Sequence, residues 1–445
     1  MSLKMKNNSK IHILGGGPAG VATSYYASQK KINSVIYEAS SAIGGNCKTI
    51  KLDDFYFDLG AHRFHDKNEN VTNEIKKILG NQLLKVHSPS KIFYKNNYLD
   101  FPLRIFNVLT TLKMNIGLKI VYENFLNQLK TFKSPNTFEE VAYQNYGKTL
   151  SKLFLMNYTE KLWGESSNKL LPSIAGGRLK NLNLKSIIAE LFFNQKSGSK
   201  HLDGEFWYPK FGFGTIFESM KNSPYQEFFL NSSVTRLIHD GKKITKIEIN
   251  QSKVINVNQI VSTLPINLLI KFLYPVVDEK LLMIANSLKF RGLKLCVLML
   301  DRPYFSDNAS IYFPDKKIPF TRIYEPKNRS KFTAPNDKTC IVAEVPYKPE
   351  KSNINNQELL DQIVSILEQK KMLKKSEVLT TKVYDLPFAY PILDLEVKEK
   401  LNILFKFLSR FKNLHLIGRN ANFEYQHTHD IFKNSNYLIE KISKN

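Results

Sequence analysis

One short segment near the start of the chain limits most strongly what this sequence can fold into. The apolar run Ile11–Leu14 leads directly into Gly15-x-Gly17-x-x-Gly20, and a segment of small residues follows. This order predicts a strand, a tight turn and a helix whose first amide groups can bind a phosphate. A second apolar run ends at Glu38, where a carboxylate can accept a hydrogen bond from an adenosine ribose. The pattern predicts a dinucleotide site, although a glycine-rich turn without a ligand has the same local sequence.

The length and composition are those of an ordinary globular protein. Its 445 residues are enough for two or three domains, and 42% of them are hydrophobic. No apolar stretch reaches the roughly 18 residues of a transmembrane helix, and the first ten residues lack the apolar region of a secretory signal. Cys47, Cys296 and Cys340 are too widely spaced for a metal-binding motif. We therefore predict no metal site and expect a reducing, cytoplasmic environment.

The formal net charge of +24 is the one unusual bulk property. Such a charge can attract nucleic acid, an anionic membrane surface or phosphorylated ligands. The lysines are dispersed, however, and no run of five basic residues occurs. Nucleic-acid binding is therefore not predicted. Compositional drift, with a contribution from anionic ligands, is the preferred interpretation.

The hydrophobic pattern predicts an α/β protein with interleaved domains, since no repeat or low-complexity linker divides the chain. Residues 70–85, 357–369 and 429–439 are predicted helices, and the region from Pro102 to about Ala189 is mostly helical in pattern. Hairpin turns are predicted at Lys95–Asn97 and at Asp240-Gly241. Further strands are predicted at 55–60, 206–209, 293–300, 320–324, 341–345 and 377–384. The stretch 259–265 is predicted as a buried strand that ends in a loop, and a last strand is predicted from Leu414 to Gly418-Arg419.

Four local features have alternative interpretations. Gly44-Gly45 is a second close approach of backbone to the cofactor, or a simple turn. His62 and His65 are functional loop residues or ordinary solvated ones, and no further metal ligands cluster near them. Trp163, at the end of a predicted helix, belongs to a site or to the core. The apolar spacing of Ile105–Leu129 fits a membrane-surface helix, but a helix of an inserted domain or a dimer contact is preferred.

Several short motifs occur in an order that resembles one family of flavoproteins. They are Gly15-x-Gly17-x-x-Gly20 with Glu38, Ile43-Gly44-Gly45-Asn46, Gly60-Ala61-His62-Arg63-Phe64-His65, Tyr158-Thr159-Glu160-Lys161-Leu162-Trp163-Gly164, Ser287-Leu288-Lys289-Phe290, Phe320-Thr321-Arg322-Ile323, Tyr390-Pro391, and Gly418-Arg419 followed by Tyr425. Together they resemble the FAD-dependent UDP-galactopyranose mutases and their relatives of the amine oxidase and protoporphyrinogen oxidase type.

The resemblance implies an α/β fold with a Rossmann-like FAD-binding domain assembled from three segments. An inserted helical domain and a mixed-sheet substrate domain complete it. The expected boundaries are 1–98, 197–267 and 396–445 for the FAD-binding segments, 99–196 for the helical domain and 268–395 for the mixed sheet.

The resemblance also implies which residues contact a non-covalently bound FAD. They are Gly15, Gly17, Pro18, Ala19, Gly20, Glu38, Ala39, Gly45, Asn46, His62, Arg63, Phe64, Gly418, Arg419 and Tyr425. His65 is expected near the flavin N5 and is counted with the catalytic residues.

In the mutases that the chain resembles, N5 of the reduced flavin attacks the anomeric carbon of UDP-galactopyranose. UDP leaves and is added back once the sugar has closed as a furanose, so no net redox change occurs. The resemblance assigns Arg178 and Arg322 to the diphosphate and to catalysis, because the arginine fork matches phosphate geometry. The other residues expected to bind substrate are Tyr158, Thr159, Trp163, Tyr390 and Tyr425.

The predicted function is a UDP-sugar pyranose–furanose mutase of cell-surface polysaccharide synthesis, with a UDP-hexose as substrate and a homodimer through the helical domain as one option. Three features depart from the mutase pattern. Asn286 and His427 stand where the family usually has arginine and aspartate, and the stretch 206–214 looks more like the oxidases. An FAD-dependent oxidoreductase of the amine oxidase or protoporphyrinogen oxidase type is the alternative, and a non-catalytic flavin-binding scaffold is the third interpretation.

Overall fold

The computed structural model describes residues 10–103, 105–174, 205–351 and 354–444. The strands are β1 (Ile11–Leu14), β2 (Ser34–Tyr37), β3 (Thr49–Leu52), β4 (Phe55–Asp58), β5 (Leu83–His87), β6 (Ser90–Tyr94), β7 (Asn97–Phe101), β8 (Glu205–Pro209), β9 (Gln226–Phe229), β10 (Val234–His239), β11 (Ile244–Ile249), β12 (Lys253–Asn256), β13 (Gln259–Ser262), β14 (Leu273–Tyr274), β15 (Phe290–Leu300), β16 (Ser310–Tyr312), β17 (Arg322–Tyr324), β18 (Thr339–Tyr347), β19 (Val378–Pro391) and β20 (Leu414–Leu416).

The helices within these ranges are α1 (Pro18–Gln29), α2 (Glu69–Leu79), α3 (Ile105–Thr111), α4 (Met114–Gln128), α5 (Phe138–Leu150), α6 (Asn157–Trp163), α7 (Thr215–Glu218), α8 (Ile266–Lys271), α9 (Glu279–Ser287), α10 (Asn356–Gln369), α11 (Val397–Leu408), α12 (Arg419–Asn422) and α13 (Thr428–Lys444). A π-helical turn, Ser151–Met156, joins α5 to α6.

A parallel sheet of five strands, counted within the described residues, has the order β20–β13–β1–β2–β9. Its strands are short, and β1 and β2 are buried along their whole length, as expected where both faces of a parallel sheet are covered. Helix α1 packs against β1, β2 and α13. Because β9, β13 and β20 come from later parts of the chain, the predicted assembly of this α/β layer from three segments is confirmed.

A mixed sheet of seven strands in the order β19–β15–β18–β17–β16–β6–β7 forms a second layer within the described residues. Strand β15 is buried at every position, and separate hydrophobic clusters lie on its two faces. Strand β19 runs to Pro391, beyond the predicted end at residue 384. It continues because it pairs along all of β15, and the register shifts between Leu386 and Tyr390, where Pro387 removes one donor from the ladder.

In the described part of the helical region, one predicted helix is divided in two. The predicted segment Ile105–Leu129 is divided into α3 and α4, because Lys113 has an extended ψ of 141°. The two parts have different packing partners: the side chain of Asn107 in α3 accepts a hydrogen bond from the amide of Asp100, whereas α4 packs on α5. No helix of the described segments is long and apolar enough to cross a membrane.

Both predicted hairpins are present. Strands β6 and β7 meet at Lys95 and Asn96, which have φ values of +49° and +64°, and β10 and β11 meet at Gly241, with φ of +91°. Positive φ at these positions is what tight hairpin turns require.

Candidate active site

The first glycine turn lies where the strands of the parallel sheet end. Gly15 has a φ of +99°, in the left-handed region that favours glycine. A Cβ atom on Gly20 would lie 2.0 Å from the carbonyl oxygen of Gly15, so only glycine lets α1 approach the strand this closely. The Oε2 atom of Glu38 accepts a hydrogen bond of 2.7 Å from the amide of Gly16. The amino end of α1 and this carboxylate therefore share one edge of the sheet, where open α/β sheets bind ligands.

The second glycine pair packs directly against the first turn. Gly44 and Gly45 have φ values of +102° and +50°, and a Cβ on Gly45 would lie 3.0 Å from the Cα of Gly17. A side chain at Gly45 would fill the space between the two turns. The pair is thus a turn and, at the same time, a close approach of two backbones beside the amino end of α1.

The third segment of the sheet brings a cationic side chain to the same place. Gly418 follows β20 with a φ of +92°, and a Cβ there would lie 2.8 Å from the Cβ of Ala19. The Nη2 atom of Arg419 donates to the carbonyl of Gln426 at 2.9 Å. Its guanidinium carbon lies 4.8 Å from the ring centre of Tyr425.

The loop after β4 carries a histidine with an unsatisfied ring nitrogen. The ring of His62 stacks on Phe213 with 5.1 Å between ring centres, and its Nδ1 atom is buried without a hydrogen-bond partner. Burial and, next, the positive charge of Arg419 lower the pKa of His62 to about 3, so the imidazole is neutral at pH 7. A buried nitrogen without a partner at a cavity wall fits a site that a ligand completes.

Buried polar groups hold this loop in position, and the sequence motifs did not identify them. The Nη1 atom of Arg329 donates to the carbonyl of His62 at 3.0 Å. The carboxylate of Asp58 accepts from the hydroxyl of Tyr208 at 2.5 Å and from the amide of Phe213 at 2.8 Å. Burial raises the pKa of Asp58, while these hydrogen bonds oppose that shift. The backbone around His62 is thereby fixed from two sides.

A cavity of about 620 Å³ joins these elements to the mixed sheet, and this volume suits a bound small molecule. The predicted site residues that line it are Gly15, Gly17, Pro18, Ala19, Glu38, Ala39, Gly45, Asn46, His62, Arg63, Phe64, His65, Tyr158, Trp163, Arg322, Tyr390, Gly418, Arg419 and Tyr425. Gly20 lies behind the turn, and Thr159 is buried away from the cavity lining. Arg178 lies outside the described residues.

Arg322 projects from β17 into the cavity and is paired with a buried carboxylate. Its Nε and Nη2 atoms donate to the two oxygens of Glu344 at 2.9 and 2.7 Å. Glu344 lies directly opposite Arg322 on β18, and its Oε1 atom also accepts from the amide of Ala61 at 3.1 Å. The charge of Arg322 is therefore already balanced inside the protein, and its Nη1 atom remains to contact a ligand.

Three aromatic rings form the wall between Arg322 and Arg419. The ring centres of Trp163 and Tyr390 are 5.8 Å apart, and those of Tyr390 and Tyr425 are 6.3 Å apart in a stacked arrangement. Burial raises the pKa of Tyr390 to about 12, so its hydroxyl is a neutral donor at pH 7. This wall offers flat apolar faces together with hydroxyl groups.

The elements behind this wall explain how its members are positioned. Helix α6 ends at Trp163 because Gly164 adopts a left-handed cap, with φ of +68°. Arg291 lies against that cap and donates to the carbonyl groups of Leu162 and Lys161 at 3.0 and 3.1 Å. Its guanidinium fills the space that any side chain at position 164 would need.

Two residues that were predicted to bind the cofactor donate side-chain hydrogen bonds to other residues of the protein. The Nη2 atom of Arg63 donates to the hydroxyls of Ser90 and Ser310 at 2.7 and 3.3 Å. The amide nitrogen of Asn46 donates to the carbonyl of Phe388 at 3.1 Å. Both side chains line the cavity, and these bonds fix its shape.

Glu344 is the most important residue of the cavity that sequence reasoning missed. It stands within the apolar run Ile341–Val345, and a single charge inside a buried strand is a signal of a paired or functional group. Among the described residues, no cluster of three or more histidine, cysteine or carboxylate side chains could hold a metal ion.

Comparisons with known proteins agree with this architecture. The family model for flavin containing amine oxidoreductases matches residues 18–386. The chain is 25% identical over 197 residues to the "Probable UDP-galactopyranose mutase" of Klebsiella pneumoniae, which is 43% of this chain and 49% of that protein. It is 22% identical over 400 residues to the phytoene desaturase of Phycomyces blakesleeanus, which is 80% of this chain and 67% of that one. The chain thus matches only about half the length of the first of these relatives.

Solved structures share the fold along almost the whole chain. A crystal structure of reduced UDP-galactopyranose mutase has a TM-score of 0.86 at 18% identity, covering 98% of this chain and 96% of that one. A structure assigned as a protoporphyrinogen oxidase from Exiguobacterium sp. 255-15 has a TM-score of 0.75 at 15% identity, covering 98% and 99%. The predicted resemblance to both groups is confirmed at the level of the fold. Since the family model also covers most of the sequence, this chain belongs to the flavin containing amine oxidoreductases and is an FAD-dependent flavoprotein.

Proposed function

We propose that this flavoprotein is a UDP-sugar pyranose–furanose mutase that works with reduced, non-covalently bound FAD. The observation that carries the proposal is a single cavity in which the glycine turns adjoin Arg322, Tyr390 and Trp163. A nucleotide-sugar requires this combination, because it has a diphosphate, a flat base and a sugar that must reach the cofactor. The similarity to a reduced UDP-galactopyranose mutase in fold supports the same reaction class.

The residues present fit a dinucleotide cofactor. The space between Gly17 and Gly45 would be filled by a Cβ atom, and the Nδ1 atom of His62 is buried without a partner. Glu38 lies where an adenosine ribose is expected. When bound and reduced, FAD would supply a nucleophile for the anomeric carbon of the sugar.

The side chains of the cavity have defined tasks in this proposal. Nη1 of Arg322 donates to the diphosphate, while Glu344 holds the guanidinium in a fixed orientation. The neutral hydroxyl of Tyr390 donates to the same group. Trp163 presents its ring to the uridine or the sugar. The ring of Tyr425 lies beside the rings of Tyr390 and Trp163.

The remaining site assignments are also proposals. His65 acts at the flavin side, and Tyr158 and Thr159 support the sugar end of the cavity from α6. Arg178, which lies outside the described residues, is proposed as a second diphosphate ligand. We propose the chain division given above, with three FAD-binding segments, because the strands of the parallel sheet come from 11–37, 226–262 and 414–416.

An FAD-dependent oxidoreductase is the second candidate, and one observation favours it. The pairing of Arg322 with Glu344 neutralises the cation that would otherwise bind a diphosphate, and the adjacent wall is aromatic. The similarity to a phytoene desaturase, whose name denotes a redox reaction, points the same way.

Anaerobic turnover separates the two candidates. Protein with FAD reduced by dithionite is incubated with UDP-galactofuranose, and formation of UDP-galactose is followed by chromatography. The proposal predicts conversion by the reduced protein and none by the oxidised protein. The Arg322→Ala variant should lose turnover, whereas Arg410→Ala, a change in the chain segment after α11, should retain it. Absence of conversion, together with bleaching of the oxidised flavin by an amine or a porphyrinogen, would establish the oxidoreductase instead.

A further inference from the structure

Helix α4 presents an unusual apolar surface. We name as the α4 stripe the exposed large side chains Met114, Leu118, Val121, Tyr122, Phe125, Leu129 and Phe132. From Met114 to Leu129 the members recur every three or four residues, with Val121 and Tyr122 side by side, so they lie toward one face of the helix. Leu118 is 66% exposed and Phe125 is 53% exposed. Contiguous exposed apolar surface of this kind marks an interaction site.

The opposite face of α4 fixes the helix to the protein. Gly117, Ile120 and Asn124 are buried, and the amide nitrogen of Asn124 donates to the carbonyl of Tyr146 in α5 at 2.9 Å. Asn127 donates to the carbonyl of Tyr143 at 2.7 Å. The stripe therefore points outward from a helix that is held by its other side.

The charged residues of the segment that carries the stripe are mostly basic. Residues 113–133 contain four lysines, Lys113, Lys119, Lys130 and Lys133, and all four are exposed. Glu123 is the only acidic residue of this segment, and its carboxylate accepts from the amide and hydroxyl of Thr149 at 2.6 and 2.7 Å. The surface that accompanies the apolar side chains is therefore basic.

These observations favour a lipid surface over a second copy of the chain. A two-fold contact through α4 would bring the lysines of both copies together, and each chain carries a formal charge of +24. An anionic bilayer attracts the positively charged lysines, and the apolar side chains can be buried in its interface. A helix of 15 residues with this arrangement lies in the interface between headgroups and acyl chains without crossing the membrane.

We propose that the α4 stripe docks this flavoprotein on the surface of an anionic phospholipid membrane. The apolar side chains enter the headgroup region, and the lysines contact the lipid phosphates and carboxylates. Docking through α4 is independent of the reaction in the cavity, so it can hold whether the protein is a mutase or an oxidoreductase.

Vesicle flotation of the full-length, FAD-loaded protein tests this docking. We expect it to float with vesicles of phosphatidylcholine and phosphatidylserine and to stay behind with phosphatidylcholine alone. Leu118→Asp with Phe125→Asp should reduce the bound fraction at least about tenfold, since burying a large apolar side chain contributes about an order of magnitude. The matched control is Met283→Asp with Tyr437→Asp, at side chains that are 66% and 70% exposed elsewhere. It should bind like the unaltered protein.

A second variant keeps the test independent of the apolar substitutions. Lys119→Glu reverses one charge beside the stripe and should lower binding to anionic vesicles by about fivefold or more, because each basic residue near the surface contributes about that factor. Retained flavin absorbance and circular dichroism show that the variants are folded. Equal binding to neutral and anionic vesicles, or equal loss in the control, would overturn the proposal. So would a vesicle-free dimer that the Leu118→Asp and Phe125→Asp substitutions convert to monomers while no vesicle binding occurs.

Discussion

Glu344 is buried beneath the cavity, and its replacement by glutamine tests what Arg322 does there. The Glu344 side chain is 2% exposed and that of Arg322 is 14% exposed, so water reaches neither group well. Glutamine has nearly the same shape but no charge. The substitution therefore removes the electrostatic partner of Arg322 and leaves the packing almost unchanged.

The expected cost follows from the three hydrogen bonds that Glu344 accepts. Two come from Arg322 and one from the amide of Ala61. The side-chain oxygen of a glutamine can accept the hydrogen bonds that one carboxylate oxygen of Glu344 accepts. The NH2 group then replaces the other oxygen and faces an N–H donor of Arg322 or Ala61. Hydrogen bonds to charged groups contribute about 1.5–3 kcal/mol each, and breaking a buried ion pair from one side costs about 3–5 kcal/mol. We predict that Glu344→Gln lowers the free energy of unfolding by about 3 kcal/mol.

Denaturation of the FAD-saturated protein, followed by tryptophan fluorescence and by flavin release, measures this loss. Glu227→Gln is the matched control, because Glu227 accepts a single bond of 2.7 Å from Lys10 and both side chains are well exposed, at 53% and 37%. An exposed pair of this type contributes at most about 1 kcal/mol. If Glu344→Gln costs no more than Glu227→Gln, the buried pair does not have the strength that we derive for it.

The same variant has an opposite effect on ligand binding. Without the carboxylate, Arg322 becomes an unbalanced cation at the cavity. Even at the dielectric constant of water, a unit charge about 4 Å away contributes about 1 kcal/mol, or roughly fivefold in affinity. Glu344→Gln should therefore bind UDP more tightly, whereas Arg322→Ala should bind it at least about tenfold more weakly. Fluorescence titration that shows no change in either variant would place Arg322 outside the UDP site.

Three further predictions concern the cofactor turn, acid stability and the aromatic wall. Gly45→Ala should reduce FAD occupancy because a Cβ would meet the first glycine turn. Gly80→Ala, with nearly the same φ, a ψ of −127° and open space around a Cβ, should cost only about 1–3 kcal/mol of backbone strain. Equal flavin content in the two variants would refute this. Burial lowers the pKa of His12 from 6.5 to about 4, so on acidification the unfolded state binds a proton before the folded state does. The free energy of unfolding should therefore fall between pH 6.5 and pH 4, by up to about 1.4 kcal/mol per pH unit. His12→Gln should remove the contribution of one proton to that slope in urea denaturation, and the contribution of His62, whose pKa is also lowered, should remain. Trp163→Phe should abolish the fluorescence response to UDP, whereas Trp207→Phe should keep it.

The parallel layer of the fold could be predicted because its signals are local. Three glycines, a carboxylate at the end of the second strand and short apolar runs occur within the first 40 residues. Each has a direct steric or hydrogen-bonding cause, such as the 2.0 Å approach at Gly20. The hairpins at Asn96 and Gly241 were predictable for the same reason, since positive φ selects few residue types.

The pairing of Arg322 with Glu344 could not be predicted, because it depends on register. The two residues are far apart along the chain and meet only when β17 and β18 pair with Arg322 opposite Glu344. A shift of one residue would turn one of them to the other face of the sheet. The exposure of the α4 stripe could not be predicted either. The apolar spacing was visible, but the sequence does not say which face α5 covers.

The charge around the cavity limits which substrates are compatible with the two candidate functions. After burial, the causes that lower the pKa of His62 are the positive charges of Arg419, Arg329 and Arg322. The part of the cavity wall around His62 therefore lies among positive charges, even though Glu344 balances Arg322. Within the described part of the chain, Arg419 donates to the carbonyl groups of Ala389 and Gln426 and lies over two tyrosine rings, and no carboxylate there pairs with it. A cationic amine would be repelled from this site, whereas a diphosphate or a reduced flavin would be attracted. If the protein is an oxidoreductase, we infer that its substrate is neutral or anionic, so that an amine that bleaches the flavin efficiently would contradict the charge that we assign to the cavity.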